Sequence, residues 1–280
     1  MAQQGDTAME FGLRKLRSMS NVMGLFAFFV TGLLVLPSSA AAKELTAKQI
    51  ADKAMAAGLF SFKEGQAVLE MEITQASGRV RNNTLSLKMR KTKEGLAQTM
   101  VRFEKPAAVK GTSFLVRERS GQLPDQFVFV PATKVVRRIA AGNSTRSFFG
   151  SDFSYADLMP LPPEEQSKAD LQRLDDAKVG GQTTYVVQMK LPPEAPYGKV
   201  VFYVHQKHLL PIKISFMDRE EKPFKELVMK KLKKVQGKLI PVEMVMKNIQ
   251  KGSKTVLRIK DMDNKAKLSD ADFTEAAMKQ

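Results

Sequence analysis

The 280-residue chain contains no cysteine, no tryptophan and only two histidines. Without cysteine it can have no disulfide framework, no thiolate metal site, no cysteine nucleophile and no lipid-modified cysteine behind a signal sequence. His205 and His208 lie three residues apart at the end of a predicted strand, without nearby carboxylates or thiols to complete a metal site. We therefore predict no metal and no cofactor, and we interpret both histidines as partly exposed turn residues.

Motifs of catalysis are also missing, because no G-x-S-x-G, P-loop or H-E-x-x-H pattern occurs. Asp152 and Asp157 could serve as general acid and base, but that chemistry needs a defined separation across a cleft, which a sequence does not give. The four residues from Ser154 to Asp157 instead fit the capping box of a helix start. The prediction is a non-enzymatic protein without catalytic residues.

Long apolar runs are confined to the N-terminus. Three basic side chains precede the run Val22–Leu36, and small residues follow it, which is the order of a secretory signal with cleavage after Ala40 or Ala42. The run is shorter than the roughly 20 residues that span a bilayer, so an uncleaved membrane anchor is the less favoured alternative. We predict that residues 1–42 are a cleaved signal peptide and that residues 43–280 form a single domain exported to the periplasm.

Positive charge is in large excess, with 45 Lys and Arg against 29 Asp and Glu, a net charge of +16. The predicted signal peptide holds three basic and two acidic side chains, so its removal leaves about +15. Such a charge attracts anionic surfaces. Nucleic acid is not expected as a partner of an exported protein, whereas phospholipid headgroups, lipopolysaccharide and other envelope polyanions are.

A two-residue alternation of apolar and polar side chains runs through most of the chain. In the stretch 68–75, Leu69, Met71 and Ile73 fall on one side and the acidic residues on the other, as in a strand with one wet face. Eleven or twelve such segments, separated by Gly, Asp and Pro, predict an antiparallel sheet that closes or nearly closes.

Two short helices are predicted at the ends of this sheet. The first begins with Thr46 as its cap and ends at Gly58, and the second follows Ser269 or Asp270 near the C-terminus. Together with the strands they define an α+β fold of mainly β content. We expect the antiparallel sheet to wrap around two or three short helices.

Methionine is abundant, with 16 residues in the chain. Flexible methionines on one face of successive strands suit a surface that adapts to irregular apolar ligands, although ordinary core filling explains the same residues. Both interpretations stay open at this point. The residues concerned are Met71, Met89, Met100, Met189, Met229, Met244 and Met246.

Two adjacent arginines, Arg137 and Arg138, interrupt the strand pattern. Because neighbouring strand residues point to opposite faces, one of them is expected at the interior or its rim, where it needs an acidic partner, a carbonyl or a phosphate. We name both as candidate contacts for a lipid headgroup or a lid. A structural ion pair is the alternative.

Three stretches carry a resemblance to a known family. In order they are FEKPAAVKGTSFLVRER (103–119), FVFVPATKVVRRIA (127–140) and SFFGSDFSYADL (147–158). They resemble the LolA-like outer-membrane lipoprotein-sorting proteins, in particular a branch of periplasmic carriers associated with transporters. The resemblance extends over about residues 68–262, and its distinctive sequence motifs lie within residues 103–158.

The resemblance implies a half-open antiparallel β-barrel of about 11 strands, with short helices as a lid over an apolar cavity for acyl chains. It implies a periplasmic carrier that receives lipoprotein or lipid from an inner-membrane transporter and delivers it to an outer-membrane acceptor. We expect the carrier to be a monomer. A lipid-sensing regulatory protein of the same fold is the alternative. The candidate cavity or lid residues are Phe103, Phe114, Phe127, Phe129, Phe148, Phe149, Phe153, Tyr155 and Leu158.

Overall fold

Thirteen antiparallel strands form one sheet in the part of the chain that the structure describes. The computed structural model describes residues 44–57, 64–140, 143–158, 163–235 and 238–280, so the predicted signal peptide and Gly58 lie outside the described residues. The strands are β1 (Gly65–Thr74), β2 (Val80–Lys91), β3 (Ala97–Lys105), β4 (Ser113–Arg119), β5 (Gln122–Val130), β6 (Val135–Arg138), β7 (Asp170–Val179), β8 (Gln182–Lys190), β9 (Lys199–His205), β10 (Pro211–Met217), β11 (Pro223–Val235), β12 (Lys238–Asn248) and β13 (Ser253–Asp263).

The strand order is β6-β5-β4-β3-β2-β1-β13-β12-β11-β10-β9-β8-β7. Every neighbour in the sheet is thus also a neighbour in sequence, except where the first strand pairs with the last. The sheet consists of two meanders, β1–β6 and β7–β13, joined along β1 and β13. Its edges, β6 and β7, do not pair with each other, so the sheet is open.

The mainly β prediction is confirmed, but the number of strands is larger than the eleven or twelve expected. The additional strand is β7, whose sequence DLQRLDDAKV lacks a regular alternation. A bulge between Leu174 and Ala177 interrupts its pairing with β8 and contains two aspartates. Because β7 is an edge strand with only one neighbour, few of its side chains are buried, and the alternation that predicts a strand is absent.

The first helix, α1 (Ala47–Ala57), packs against β7, β8 and β9 through its buried residues Ile50, Ala51 and Ala54. Its predicted start is confirmed: the Thr46 hydroxyl accepts a hydrogen bond from the Gln49 amide, and the Gln49 side chain accepts one from the Thr46 amide. This reciprocal pair is a capping box. Helix α1 thereby covers part of the second meander on its core-facing side.

Four further short helical elements occur among the described residues. Helix α2 (Pro163–Lys168) precedes β7, and single 3₁₀ turns cover Ala156–Leu158, Asp270–Phe273 and Ala277–Lys279. None of the helices among the described residues is long and apolar enough to cross a membrane.

The C-terminal turns lie on the outer face of the first meander, opposite its core-facing side. Phe273 and Met278 are buried there against Met100, Leu115 and other outer-face side chains. The predicted C-terminal helix is therefore a pair of 3₁₀ turns that closes a second, smaller core. It does not lie over the main apolar face, so it cannot be part of a lid on that face.

Candidate functional site

A cavity of about 940 Å³ lies against the inner face of the sheet. Side chains from β1–β6 and β8–β13 line it, which requires the sheet to curve around it. The lining is mostly apolar with a few polar groups, as in small-molecule binding sites. Helix α1 contributes Ala54 and Met55 to the lining. Apolar side chains from the strands include Leu69, Leu85, Val101, Phe202, Leu227 and Leu257.

One end of the cavity is covered by the corner segment, Ser147–Leu158. Phe148 and Phe153 of this segment line the cavity and are almost completely buried. The Phe148 ring packs edge-on against Phe114 of β4, with 5.3 Å between ring centroids, and against Phe149 at 4.9 Å. Such edge-to-face pairs add to the stabilisation that burial of the rings provides.

Within the corner segment the backbone is unusual at Phe149 and Gly150, which have positive φ angles of 49° and 77°. The guanidinium of Arg81 on β2 donates to both carbonyl oxygens, at 3.5 and 3.4 Å. A Cβ atom at position 150 would stand 2.6 Å from this guanidinium. Glycine at this position thus satisfies both the backbone conformation and the close approach of the arginine.

A second attachment joins the corner segment to β13. The hydroxyl of Thr255, which is fully buried, donates to Asp152 Oδ2 at 2.7 Å and accepts a hydrogen bond from the Asp152 amide at 2.9 Å. Ser253 also donates to the Asp152 carboxylate. These contacts satisfy a carboxylate that is only 6% exposed.

A third attachment is a buried polar cluster around Asp157. Lys225 Nζ of β11 lies 3.1 Å from Asp157 Oδ2 and 3.3 Å from the Tyr197 hydroxyl, which donates to the other oxygen of Asp157. Burial and the neighbouring Asp157 charge raise the pKa of Tyr197 well above its usual value. The tyrosine therefore remains a neutral hydrogen-bond donor at all physiological pH values.

The predicted capping box is confirmed within this cluster. The Ser154 amide donates to Asp157 Oδ2 at 2.7 Å, and the Asp157 amide donates to Ser154 Oγ at 3.3 Å. The element that it caps is the 3₁₀ turn Ala156–Leu158. Asp157 thus has two structural roles, as a cap and as the partner of Lys225.

The cavity reaches the surface at the opposite end, where β5 begins. Leu123 lines the cavity there and is 51% exposed. Polar lining side chains on the strands at this end include Lys91, Thr99, Glu118 and Gln126. The carboxylate of Glu118 accepts a hydrogen bond from the Ala97 amide at 2.7 Å, which fixes it beside the start of β3.

The nine aromatic and aliphatic candidates fall into three groups. Phe114, Phe148, Phe153 and Leu158 line the cavity. Phe103, Phe149 and Tyr155 belong to the aromatic cluster that packs around Phe148 and Phe114. Phe127 and Phe129 were placed wrongly, because they lie on the outer face and pack with the C-terminal turns.

The physical reason for this error is that β4 and β5 are buried on both faces. Phe127 pairs with Leu115 and Phe129 with Ser113, so both rings share the outer face with Leu115. Apolar side chains do alternate along β5, but the rings of Phe127 and Phe129 point away from the cavity. The inner positions of β5 are Gln126 and Val128.

Neither arginine of the predicted pair reaches into the cavity interior. Arg137 is exposed, and Arg138 lies at the cavity rim with its guanidinium paired to the Asp125 carboxylate. The side chains of both arginines are thus exposed at the edge of the sheet. The ion-pair alternative describes Arg138, and a headgroup contact for either arginine stays a prediction.

Five of the seven methionines named from the sequence line the cavity: Met71, Met89, Met189, Met229 and Met246. Met100 belongs to the outer core, and Met244 belongs to the main core without lining the cavity. His205 and His208 pack ring to ring, with 4.8 Å between centroids, and the His205 ring accepts backbone hydrogen bonds within its turn. Burial lowers the pKa of His205.

Sequence reasoning did not identify four residues that shape the site: Gln126, Tyr197, Lys225 and Thr255. Lys225 gives the clearest signal in retrospect, since it is in phase with the inward-facing Leu227 and Met229 of β11. A lysine in an apolar phase requires a buried partner. That partner, Asp157, is 68 residues away in sequence and could not be found from local patterns.

Comparison with known proteins identifies the fold. A family model described as an uncharacterized protein matches residues 95–280, and no curated protein matches the chain significantly. A structure described as an outer membrane lipoprotein-sorting protein domain from Vibrio parahaemolyticus is 28% identical, with a TM-score of 0.75 over 84% of this chain and 100% of that one.

Two further solved structures share this architecture. A DUF1329 family protein from Desulfovibrio piger is 24% identical, with a TM-score of 0.73 over 83% of this chain and 95% of its own. A LolA superfamily protein from Nitrosomonas europaea is 19% identical, with a TM-score of 0.65 over 84% and 100%. The resemblance drawn from the three sequence stretches is confirmed: the chain belongs to the uncharacterized family whose model matches residues 95–280, and its fold is that of the lipoprotein-sorting and LolA superfamily structures.

Proposed function

We propose that this protein is a periplasmic carrier that binds acyl chains of lipoproteins or lipids in its apolar cavity. It receives them from an inner-membrane transporter, passes them to an outer-membrane acceptor and acts as a monomer. The observation that carries the proposal is the 940 Å³ cavity, lined by apolar side chains from both meanders and open beside Leu123. The lipoprotein-sorting description of the Vibrio relative supports the same class of cargo.

The cavity has room for more than one acyl chain. An apolar cavity of about 150 Å³ holds a six-carbon ring, which corresponds to about 25 Å³ per carbon atom. On that scale, the cavity of 940 Å³ accommodates on the order of 35 to 40 carbons. This is the content of a two-chain lipid.

The energetics of acyl binding explain why a carrier needs contact with its partners. Burial contributes about 0.8 kcal/mol per CH₂, so a 16-carbon chain gains on the order of 12 kcal/mol. Release of such a chain into water is negligibly slow. Transfer must therefore occur where the cavity opening meets a membrane or an acceptor with an apolar site of its own.

Mass spectrometry of lipids extracted from the purified mature protein tests the proposal directly. We expect acyl lipid in stoichiometric amounts, and uptake of labelled lipid from donor vesicles followed by delivery to acceptor vesicles. A protein that is consistently free of lipid and takes none from vesicles would falsify the proposal.

A pair of variants tests whether the lipid binds inside the cavity. Val116 lies on the inner face of β4 and lines the cavity, whereas Val68 on β1 is 38% exposed on the outer face. Val116→Phe adds volume inside the cavity and is expected to reduce the lipid bound per protein. Val68→Phe makes the same chemical change outside the cavity and should leave the bound lipid unchanged.

A further inference from the structure

Gln126 is a polar residue in an otherwise apolar row. It lies on β5, in phase with Val128 and opposite Val116 of β4, so its side chain belongs to the inner face of the sheet. The residue lines the cavity near its open end and is only 5% exposed. A buried amide at this position has to find its hydrogen bonds inside the site.

The side-chain oxygen of Gln126 does not find one. Among the described residues, nothing donates a hydrogen bond to Gln126 Oε1. Leaving a buried acceptor without a donor costs free energy, so each such group in a native protein calls for an explanation, and a bound water, ion or ligand is one of them. The other buried polar groups of the cavity, Asp157 and Tyr197, are fully engaged with each other and with Lys225.

The chemistry of the unpartnered atom defines what would bind it. An amide oxygen accepts hydrogen bonds and does not donate them, so its partner must carry an N–H or O–H group. Glu118 on the adjacent strand presents a second acceptor at the same end of the cavity. A ligand with its chains deep in the cavity would place its polar end here, beside the opening.

We infer that Gln126 is a specificity-determining residue that binds a hydrogen-bond donor at the polar end of the acyl ligand. The preferred ligand carries an amide N–H or a hydroxyl O–H next to its chain, and a chain attached only through an ester lacks this contact. The inference rests on the proposed lipid-binding function and specifies the class of lipid that the cavity takes.

Three 16-carbon probes separate the possibilities: palmitamide with an N–H donor, 1-hexadecanol with an O–H donor, and methyl palmitate with neither. Dissociation constants are measured for each probe with the wild-type protein, Gln126→Leu and Gln188→Leu. Gln188 lies on β8, in the opposite phase to the cavity-lining Met189, and serves as the matched control. Comparing each donor probe with methyl palmitate in every variant cancels differences in the hydration of the probes.

We expect Gln126→Leu to reduce the preference for a donor probe over methyl palmitate by about tenfold, the effect of one hydrogen bond. Gln188→Leu should leave the preference unchanged. A loss confined to palmitamide assigns an amide-linked chain, and a loss confined to hexadecanol assigns a hydroxylated one. An unchanged preference for both donor probes in Gln126→Leu overturns the inference, while binding of the probes themselves still supports the carrier.

The thermal stability of the lipid-free protein gives a second measurement. Since Gln126→Leu removes a buried acceptor that lacks a partner, we expect its melting temperature to equal or exceed that of the wild type. A clear decrease would show that the amide already has a structural role and would overturn the inference. If no variant and no probe shows binding, the proposed function itself fails. Should Gln126→Leu not fold, Gln126→Met provides the same comparison with a more flexible side chain.

Discussion

Lys225 on β11 and Asp157 in the corner segment form an ion pair in which both side chains are almost fully removed from water, at 6% and 2% exposure. Two charges are buried at a real cost in desolvation, which their attraction and the added Tyr197 hydrogen bonds offset. The pair joins the corner segment to the second meander. Together with the Arg81 and Thr255 contacts, it holds the aromatic side chains of that segment against the cavity.

Lys225→Met should lower the free energy of unfolding by about 3 to 5 kcal/mol, because it leaves the Asp157 carboxylate buried without a cation. Chemical denaturation measures the loss. Adding Asp157→Asn should restore much of the stability, since no uncompensated charge remains. Lys222→Met is the control, because Lys222 pairs with Glu220 at the exposed surface. A stability equal to wild type in Lys225→Met would show that the pair contributes nothing.

Thr255→Val tests the second attachment of the corner segment. Valine keeps the shape of threonine but removes the hydroxyl that serves both the carboxylate and the amide of Asp152. We expect a loss of about 1 to 3 kcal/mol in the free energy of unfolding. The exposed Thr183 of β8 provides the control variant, Thr183→Val, which should be close to neutral. Equal stabilities of the two variants would contradict the assignment.

Phe114→Ala and Phe129→Ala compare the two faces of the sheet. Both rings are buried, Phe114 against the cavity and Phe129 in the outer core, so each variant should lose about 3 to 5 kcal/mol. Only Phe114→Ala should change the amount or the chain length of the bound lipid, as measured by mass spectrometry of the extracts. If only Phe129→Ala altered the lipid content, the lipid would bind at the outer face of the sheet and not in the cavity.

Asp272 makes the stability of the folded protein depend on pH through its contacts in the C-terminal turns. Hydrogen bonds from Lys88 and from the Ser269 amide lower the pKa of this carboxyl from 3.8 to about 2. A depressed pKa means that the carboxylate stabilises the folded state above pH about 4, and that this stabilisation is lost as the pH falls toward 2. The wild type should therefore melt at a higher temperature than Asp272→Asn at pH 7.

The difference between these melting temperatures should shrink between pH 4 and pH 2 and then vanish. Glu275→Gln removes an exposed carboxylate from the same segment and serves as the control. A difference that stays constant down to pH 2 would mean that the effect of Asp272→Asn arises from packing and not from its charge.

How far the sequence predicts this fold depends on how local each feature is. The alternation in β1 to β6 and β8 to β13 is a property of each strand, and it identified them correctly. The polar edge strand β7 has one neighbour and a bulge, so the usual signal is absent. The capping pairs at Thr46 and Ser154 are also local and were recognisable for that reason.

The site was less predictable, because its geometry depends on residues far apart in sequence. Alternation shows that Phe127 and Gln126 face opposite sides, but not which side holds the cavity. The C-terminal turns decide this by covering the outer face of β4 and β5 with Phe273 and Met278, well over 100 positions further along the chain. The larger apolar rings were thus assigned to the cavity, and the glutamine that lines it was missed.

The single pairing of β1 with β13 has a consequence for how this protein folds. All other strand pairs are hairpins between sequence neighbours, whereas the contact of Glu72 with Arg258 spans 186 residues. Closing a loop of that length costs about 5 kcal/mol in chain entropy beyond a constant term, so we expect this junction to form after the two meanders. Hydrogen exchange during refolding would show late protection of β1 and β13. The cavity draws its walls from both meanders, so it comes into existence only when the first and last strands of the sheet have met.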